Sequence, residues 1–541
     1  MKILMDMFIT FFKIGAFTLG GGYAMLPLIK QEVVDINRWM SNESFTNIIG
    51  ISQVTPGPLA INTATYVGYK TSGIIGSVYA TLGGKVNRKE IKDFNFDLTA
   101  SILMTPKVYT DVFKDLGRNY EDYFEMINLD PIYNVFYADN SQYSFYRDLK
   151  KTNDVLESIE SGLSIQYEEF FYKTMKKYLI ANNNFLCKPM LSLKEIVNVN
   201  SIKSVLQMDV LESSSRYLYS MIHNRKLNEY LIFQAMYMGV NPYENTSLYT
   251  MIPAISHAYG LSYIKGGLYQ YICALQRLIY EQGGQIETNT EVKKIVIRNN
   301  NVVGVRTKDL FYEADCVICN ADYPYAVKKL ITDYSLGESC INNHIDKKEY
   351  SCSVFMIYLG LNKKYDVLNV HNIYISKDFK KSIEDPFNGN LSKNPSIYMY
   401  YPSAVDESLC SKSKSVLNIM VRVPNLSFET VKWTRKDIMN YRNVIIKHIS
   451  DIKGLEDIEK HIECEDYLIP DDLDKKFNAF KGNAFGLSHK LSQDIYLRPH
   501  IKSEKIKGLY FIGSSTHPGN GVSIIINGTK VLADIICEDF R

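Results

Sequence analysis

The charge density of this 541-residue chain changes abruptly at Gly83-Gly84. Residues 1–84 carry nine charged side chains, whereas the remaining 457 carry 111. The front is therefore about half as charged as the rest, although a solvated surface needs charge throughout. A single fold in one solvent does not suit both parts. The front reads as membrane-inserted and the remainder as a soluble globular body.

The front divides further. Ile14 to Ile29 (IGAFTLGGGYAMLPLI) has no charge, and extended back to Met7 it is long enough to cross about 30 Å of hydrocarbon as a helix. Gln31 to Phe45 is polar and amphipathic, with Trp39 suited to a membrane interface. Ser44 to Tyr69 is again uncharged but is broken by TPGP at Thr55 to Pro58. Two prolines around a glycine end a helix, so two half-helices meeting at TPGP are expected, their N-terminal ends offering an anion site. Gly20 to Gly22 fits neither GxGxxG nor GxxxxGK[ST], and reads as small residues that let helices approach closely. The segment opens with Asp6 and lacks a small-residue cleavage site, so no cleaved leader is expected.

Beyond Lys85, apolar periodicity predicts short strands and an aromatic-rich helix over Asn95 to Asn140, then mostly helix over about 150–260. A helix followed by several short strands is expected from Tyr263 to Asp322, with turns at Gly283-Gly284 and Asn299 to Asn301. Tyr350 to Leu361 and Ser415 to Val423 read as strands. Net charge is +2, which excludes a nucleic-acid surface as the dominant feature. The nine cysteines show no framework spacing, as in a reducing compartment. Cys316 and Cys319 form a CxxC within an apolar β-branched run, where residues three apart face opposite ways and share no metal.

The tail, GLYFIGSSTHPGNGVSIIINGTKVLADIIC, is a strand, a glycine-rich loop and a helix. Such a loop lets backbone N–H groups approach a flat or anionic ligand, and the helix N-terminus favours negative charge. A plain Gly/Pro-rich connection fits these residues equally well. His517 is the only histidine in this motif and reads as a structural hydrogen-bonding group.

Two resemblances follow from these stretches. FFKIGAFTLGGGYAMLPLI, ISQVTPGPLAINTATYVGYK and GSVYATLG, over residues 1 to about 83, resemble the start of chromate transporter family proteins. That resemblance implies an anion-translocating membrane fold, of which this segment has about half. Two spans cannot enclose an anion path alone, so transport would need several copies in a homo-oligomer. SILMTPKVYTDVF, GRNYEDYFEMINLDPIY, YIKGGLYQ, NADYP and LYFIGSSTHPGNGVS, in that order from about Gly83 to Cys537, resemble phytoene and diapophytoene desaturase-type carotenoid oxidoreductases.

The second resemblance implies FAD and a long-chain isoprenoid or carotenoid substrate drawn from the membrane. It assigns Gly83, Gly84 and Lys85 to a GG(R/K) element beside the cofactor, and Val292 to a backbone contact with adenine. Gly513, Pro518, Gly519, Asn520, Gly521 and Val522 form the loop along pyrophosphate, ribityl chain and flavin. Where many members have FDxGPT this chain has FDLTAS, so Thr99 and Ala100 replace the Gly-Pro pair near the flavin.

One unit is missing. A dinucleotide fold starts with strand, GxGxxG, helix, second strand and an acidic residue. No GxGxxG occurs in the chain, and no strand ending in Glu or Asp precedes Gly83. Without that helix N-terminus, tight FAD binding by this chain alone is not expected.

The expected fold is α/β: an incomplete FAD/NAD(P)-binding Rossmann-like domain (84–109, 263–335 and 481–541) and a mixed α+β substrate domain with a helical lid (110–262 and 336–480). A short α-helical membrane segment (1–83) precedes them. The reading is an oxidoreductase at the cell membrane with its C-terminal part cytoplasmic. The alternative is a chromate-type anion transport component with a cytosolic extension.

Overall fold

The computed structural model describes residues 30–36, 75–78, 82–99, 101–186, 188, 208–332 and 345–540. The expected spans around residues 7–29 and 44–69, with Gly20 to Gly22 and TPGP, lie outside the described residues. Among those described, no helix is long and apolar enough to cross a membrane.

The chain divides into two units. The smaller comprises residues 1–82, 113–119 and 271–290. In it Ile75–Val78 is a strand that pairs in parallel with Gln285–Thr288, Ile75 opposite Gln285 and Val78 opposite Thr288. The strand takes in Gly76 to Val78 of GSVYATLG. Ile and Val flanking Gly-Ser fit a pleated strand better than a helix, and the Gln285–Thr288 edge completes the backbone hydrogen bonds. The partner strand follows the helix Tyr269–Glu281 through Gly283, whose φ of +80° makes the turn.

The larger unit comprises residues 83–112, 120–270 and 291–541. Its centre is a seven-stranded sheet. The strands run in the order Ile462–Leu468, Ser353–Leu361, Ser415–Val423, Ile397–Tyr400, His371–Ile375, Tyr133–Tyr137 and Gln142–Phe145. All neighbours are antiparallel except His371–Ile375 with Tyr133–Tyr137. Every residue of Ser353–Leu361 is buried, as its unbroken apolar run requires of a strand covered on both faces. On one face Phe355, Ile357, Leu417 and Ile419 pack with Tyr441, Ile445 and Ile449 of the helix Arg435–Ser450. On the other, Tyr133, Val135, Ile373 and Tyr398 pack with Leu218, Leu231 and Phe233.

Those last residues come from the region expected to be helical, which holds Leu149–Ile159, Leu163–Ala181, Ser214–Met221, Arg225–Ala235 and Met251–Tyr259. The start signals are local: the Asp148 carboxylate accepts the Lys150 and Lys151 amides, and Asn224 accepts that of Leu227. The Asn299-Asn300 turn, both residues at positive φ, joins Lys294–Arg298 to Asn301–Arg306. Cys319 packs with Ile295 and Leu509 while Cys316 packs against Ile501 and Tyr510, so the two thiols face opposite ways.

Candidate functional site

The tail folds as its sequence predicts. Leu509–Phe511 pairs in parallel with Val317–Cys319 and delivers the chain to Gly513, and the helix Val522–Asp539 begins after the loop. Asn320 Nδ2 donates to the Ile512 carbonyl at 2.6 Å, which fixes the loop's entry. Gly519 (φ +126°) and Gly521 (φ +106°) take backbone conformations that other residues resist. A Cβ on Gly519 would also run into the His489 ring. Gly521 precedes the helix without a side-chain cap, so amides of the first turn point out unsatisfied.

A buried polar cluster braces this loop. The Arg498 guanidinium donates to the carbonyls of Ser514 (2.5 Å), Leu487 (3.0 Å) and Thr516 (3.3 Å), and to Asp494 Oδ1 at 3.4 Å. Asp494 Oδ2 accepts from Tyr249 OH at 3.0 Å and meets His489 Nδ1 at 3.1 Å. His489 Nε2 accepts the Asn520 amide at 3.4 Å, which places the ring proton on Nδ1. Burial opposes ionisation of Asp494, but His489, Arg498 and Tyr249 together outweigh it and hold its carboxyl below the usual range. Burial, with Arg498 beside it, lowers His489 and keeps it neutral.

The front of the site is tied in differently. Gly83 (φ +92°) and Gly84 (φ +55°) form the turn that Val86 N closes onto the Gly83 carbonyl at 2.8 Å. Lys85 is half-buried and donates to the Ala484 carbonyl at 3.3 Å; desolvation lowers its pKa, with Asp322 opposing. Thr99, at the position where the desaturase pattern has glycine, donates its hydroxyl to the Lys85 carbonyl at 2.7 Å. Asp322, from NADYP, accepts from Ser515 Oγ at 2.5 Å and from the Phe480 amide at 2.9 Å. It thereby joins the tail loop to the segment that Lys85 touches.

Thus Lys85, Gly513 and Gly519 to Gly521 share one neighbourhood, linked through Asp322 and the residues 484–488. Pro518 follows His517 in the loop, and His517 Nε2 meets the Lys188 carbonyl at 2.9 Å, a structural bond. Val292 is half-buried in the connection ahead of Lys294–Arg298, and Ala100 lies outside the described residues. Sequence reasoning missed Asp322, His489, Asp494 and Arg498. Asp494 and Arg498 do stand four apart, but in a segment with no apolar periodicity to mark their side as buried.

These residues fit one half of a bound dinucleotide. Unsatisfied amides at a helix start and glycines that bare the backbone suit a pyrophosphate, and the half-buried Lys85 ammonium adds a positive charge. Among the described residues ahead of Gly83, the strand Ile75–Val78 reads IGSV and carries no acidic side chain.

Comparison with known proteins divides the chain where its charge density does. Residues 5–85 match the chromate transporter family, and residues 80–525 match the flavin containing amine oxidoreductase family. The 4,4'-diapophytoene desaturase (4,4'-diaponeurosporene-forming) of Staphylococcus haemolyticus is 32% identical over 464 residues, covering 85% of this chain and 93% of the relative. The enzyme of the same name from Staphylococcus aureus is 33% identical over 465 residues, with the same coverage. An oxidoreductase from Methanosarcina mazei shares the fold, with a TM-score of 0.55 at 14% identity over 86% of this chain and 94% of that one. The chain belongs to the flavin containing amine oxidoreductase family, with a chromate-transporter-like segment at its front.

Proposed function

We propose that this member of the family is an FAD-dependent oxidoreductase of the carotenoid desaturase type, which removes hydrogen from a long isoprenoid chain such as diapophytoene. The observation that carries it is the braced tail loop, Gly513 to Val522, at the C-terminal end of a body that matches desaturases over 93% of their length. A bound flavin supplies the two-electron acceptor. The chain's own residues would hold it: the first-turn amides after Gly521 and the Lys85 ammonium would neutralise phosphate charge, while Arg498 and His489 keep the loop in shape from behind. The exchanged front lacks the glycine loop that would hold the other half of the dinucleotide, so FAD is held weakly.

The chromate transporter match of residues 5–85 supports membrane association of the front, and the oxidoreductase body is read as cytoplasmic, close to an insoluble substrate. Incubating the full chain with diapophytoene, lipid and excess FAD, and following products by chromatography, tests the reading. Longer conjugated chains are expected; unchanged substrate at saturating FAD would count against it. The same match supports a second reading, anion transport through TPGP. Chromate sensitivity of cells expressing the chain tests it, and no change would exclude it.

A further inference from the structure

Among the described residues three arginines are buried, and two of them have carboxylate partners. Arg442 pairs with Glu465 at 3.1 Å and also meets Glu459; Arg498 pairs with Asp494. The third, Arg422, is 7% exposed and has no carboxylate partner among the described residues. Its Nε has no hydrogen-bond partner, its Nη1 reaches only the Met420 sulfur at 3.0 Å, and its guanidinium lies 5.2 Å from the Phe485 ring centroid. The titratable groups that act on it, Cys352, Tyr237 and Tyr398, are all raised by burial and neutral at pH 7. A buried cation without a counter-charge is costly, and it persists where a ligand completes it.

The place of Arg422 says what that ligand is near. Phe485 belongs to the segment that Lys85 touches at Ala484 and that Ser515 Oγ meets at the Leu487 amide, 3.2 Å away. Arg422 therefore sits on the central strand Ser415–Val423, one aromatic ring from the tail loop. Beside it, Tyr398 OH contacts Ser101 Oγ at 3.1 Å and His371 Nδ1 at 2.7 Å. Ser101 ends the FDLTAS motif that departs from the desaturase pattern. His371 is lowered by burial to about 3, and its Nε2 also lacks a partner. Rings that suit a flat unsaturated chain thus surround two polar groups that a hydrocarbon cannot satisfy.

We propose that Arg422 binds an oxygen acceptor, a carboxylate foremost, on the isoprenoid substrate, so that this chain prefers an oxygenated polyene to the bare hydrocarbon. The proposal rests on the isoprenoid reading above. The full chain, solubilised with excess FAD, is titrated with all-trans-retinoic acid and with axerophthene, the hydrocarbon of the same skeleton. Wild type is expected to bind the acid about 10- to 100-fold tighter, the size of a charge-assisted bond. Arg422→Leu should abolish the preference while leaving hydrocarbon affinity unchanged, and Arg422→Lys should retain part of it. Binding of both ligands without preference, or a preference that survives Arg422→Leu, overturns the proposal and leaves the isoprenoid reading standing. Binding of neither overturns both. Without ligand, Arg422→Leu should melt no lower than wild type, because an unpaired buried charge has been removed. A lower melting temperature, or failure to fold, would show that the arginine is already paired within the protein and would overturn the proposal.

Discussion

The two ends of the proposed cofactor site differ in how they are built. Behind the tail loop, Arg498, Asp494, His489 and Tyr249 form a closed buried network with backbone bonds to Ser514, Thr516 and Asn520. At the front, Lys85 is held by one carbonyl acceptor at 3.3 Å and by Thr99 on its own carbonyl. A network that satisfies every member is rigid, while a single neutral acceptor for a half-buried ammonium leaves room for an anion. The difference teaches which part of the proposed site arrives preformed: the tail loop, and not the turn around Lys85.

The largest effect should come from breaking the rigid end. Asp494→Ala leaves Arg498 buried without its carboxylate, and about 3–5 kcal/mol of stability should be lost. Chemical denaturation of the larger unit measures it; a loss below about 1 kcal/mol would show that the three carbonyls suffice for Arg498.

Next is Asp97, which lies just before Thr99. Its carboxyl accepts the Leu268 amide and the Tyr400 hydroxyl, both at 2.9 Å, and burial raises its pKa from 3.8 to about 6. The native state then binds more protons than the unfolded chain between those values. The stability it contributes is full below pH 3.8 and is lost as pH rises through about 6, by about 3 kcal/mol. Asp97→Asn should flatten that part of the melting profile and raise the melting temperature at pH 8. An unchanged slope between pH 4 and 6 would rule this out.

The smallest effect belongs to the front. Thr99→Val removes the bond to the Lys85 carbonyl and should cost about 1 kcal/mol of stability. It should also weaken FAD retention relative to wild type, whereas equal retention would detach Thr99 from the cofactor element.

Much of this arrangement was legible in the sequence. The tail strand, loop and helix, the buried strands Ser353–Leu361 and Ser415–Val423, and the Asn299-Asn300 turn follow from period and turn chemistry. The strand Ile75–Val78 was not, because four residues carry too little period to outweigh the resemblance of their surroundings to a membrane helix. Asp322, His489, Asp494 and Arg498 were invisible for another reason. Their meeting depends on the tertiary path of distant segments, and no local spacing encodes a contact such as Asp322 with Ser515.

The central claim of the proposed function is that the oxidoreductase body would hold one half of the cofactor and lacks the glycine loop for the other. The most direct test is the flavin content of the purified full chain, read from absorbance near about 450 nm before and after FAD is added and excess removed. The account predicts far less than one FAD per chain as purified, with occupancy that rises on addition and is lost on washing. A stoichiometric complement, about one FAD per chain that survives washing, would contradict it.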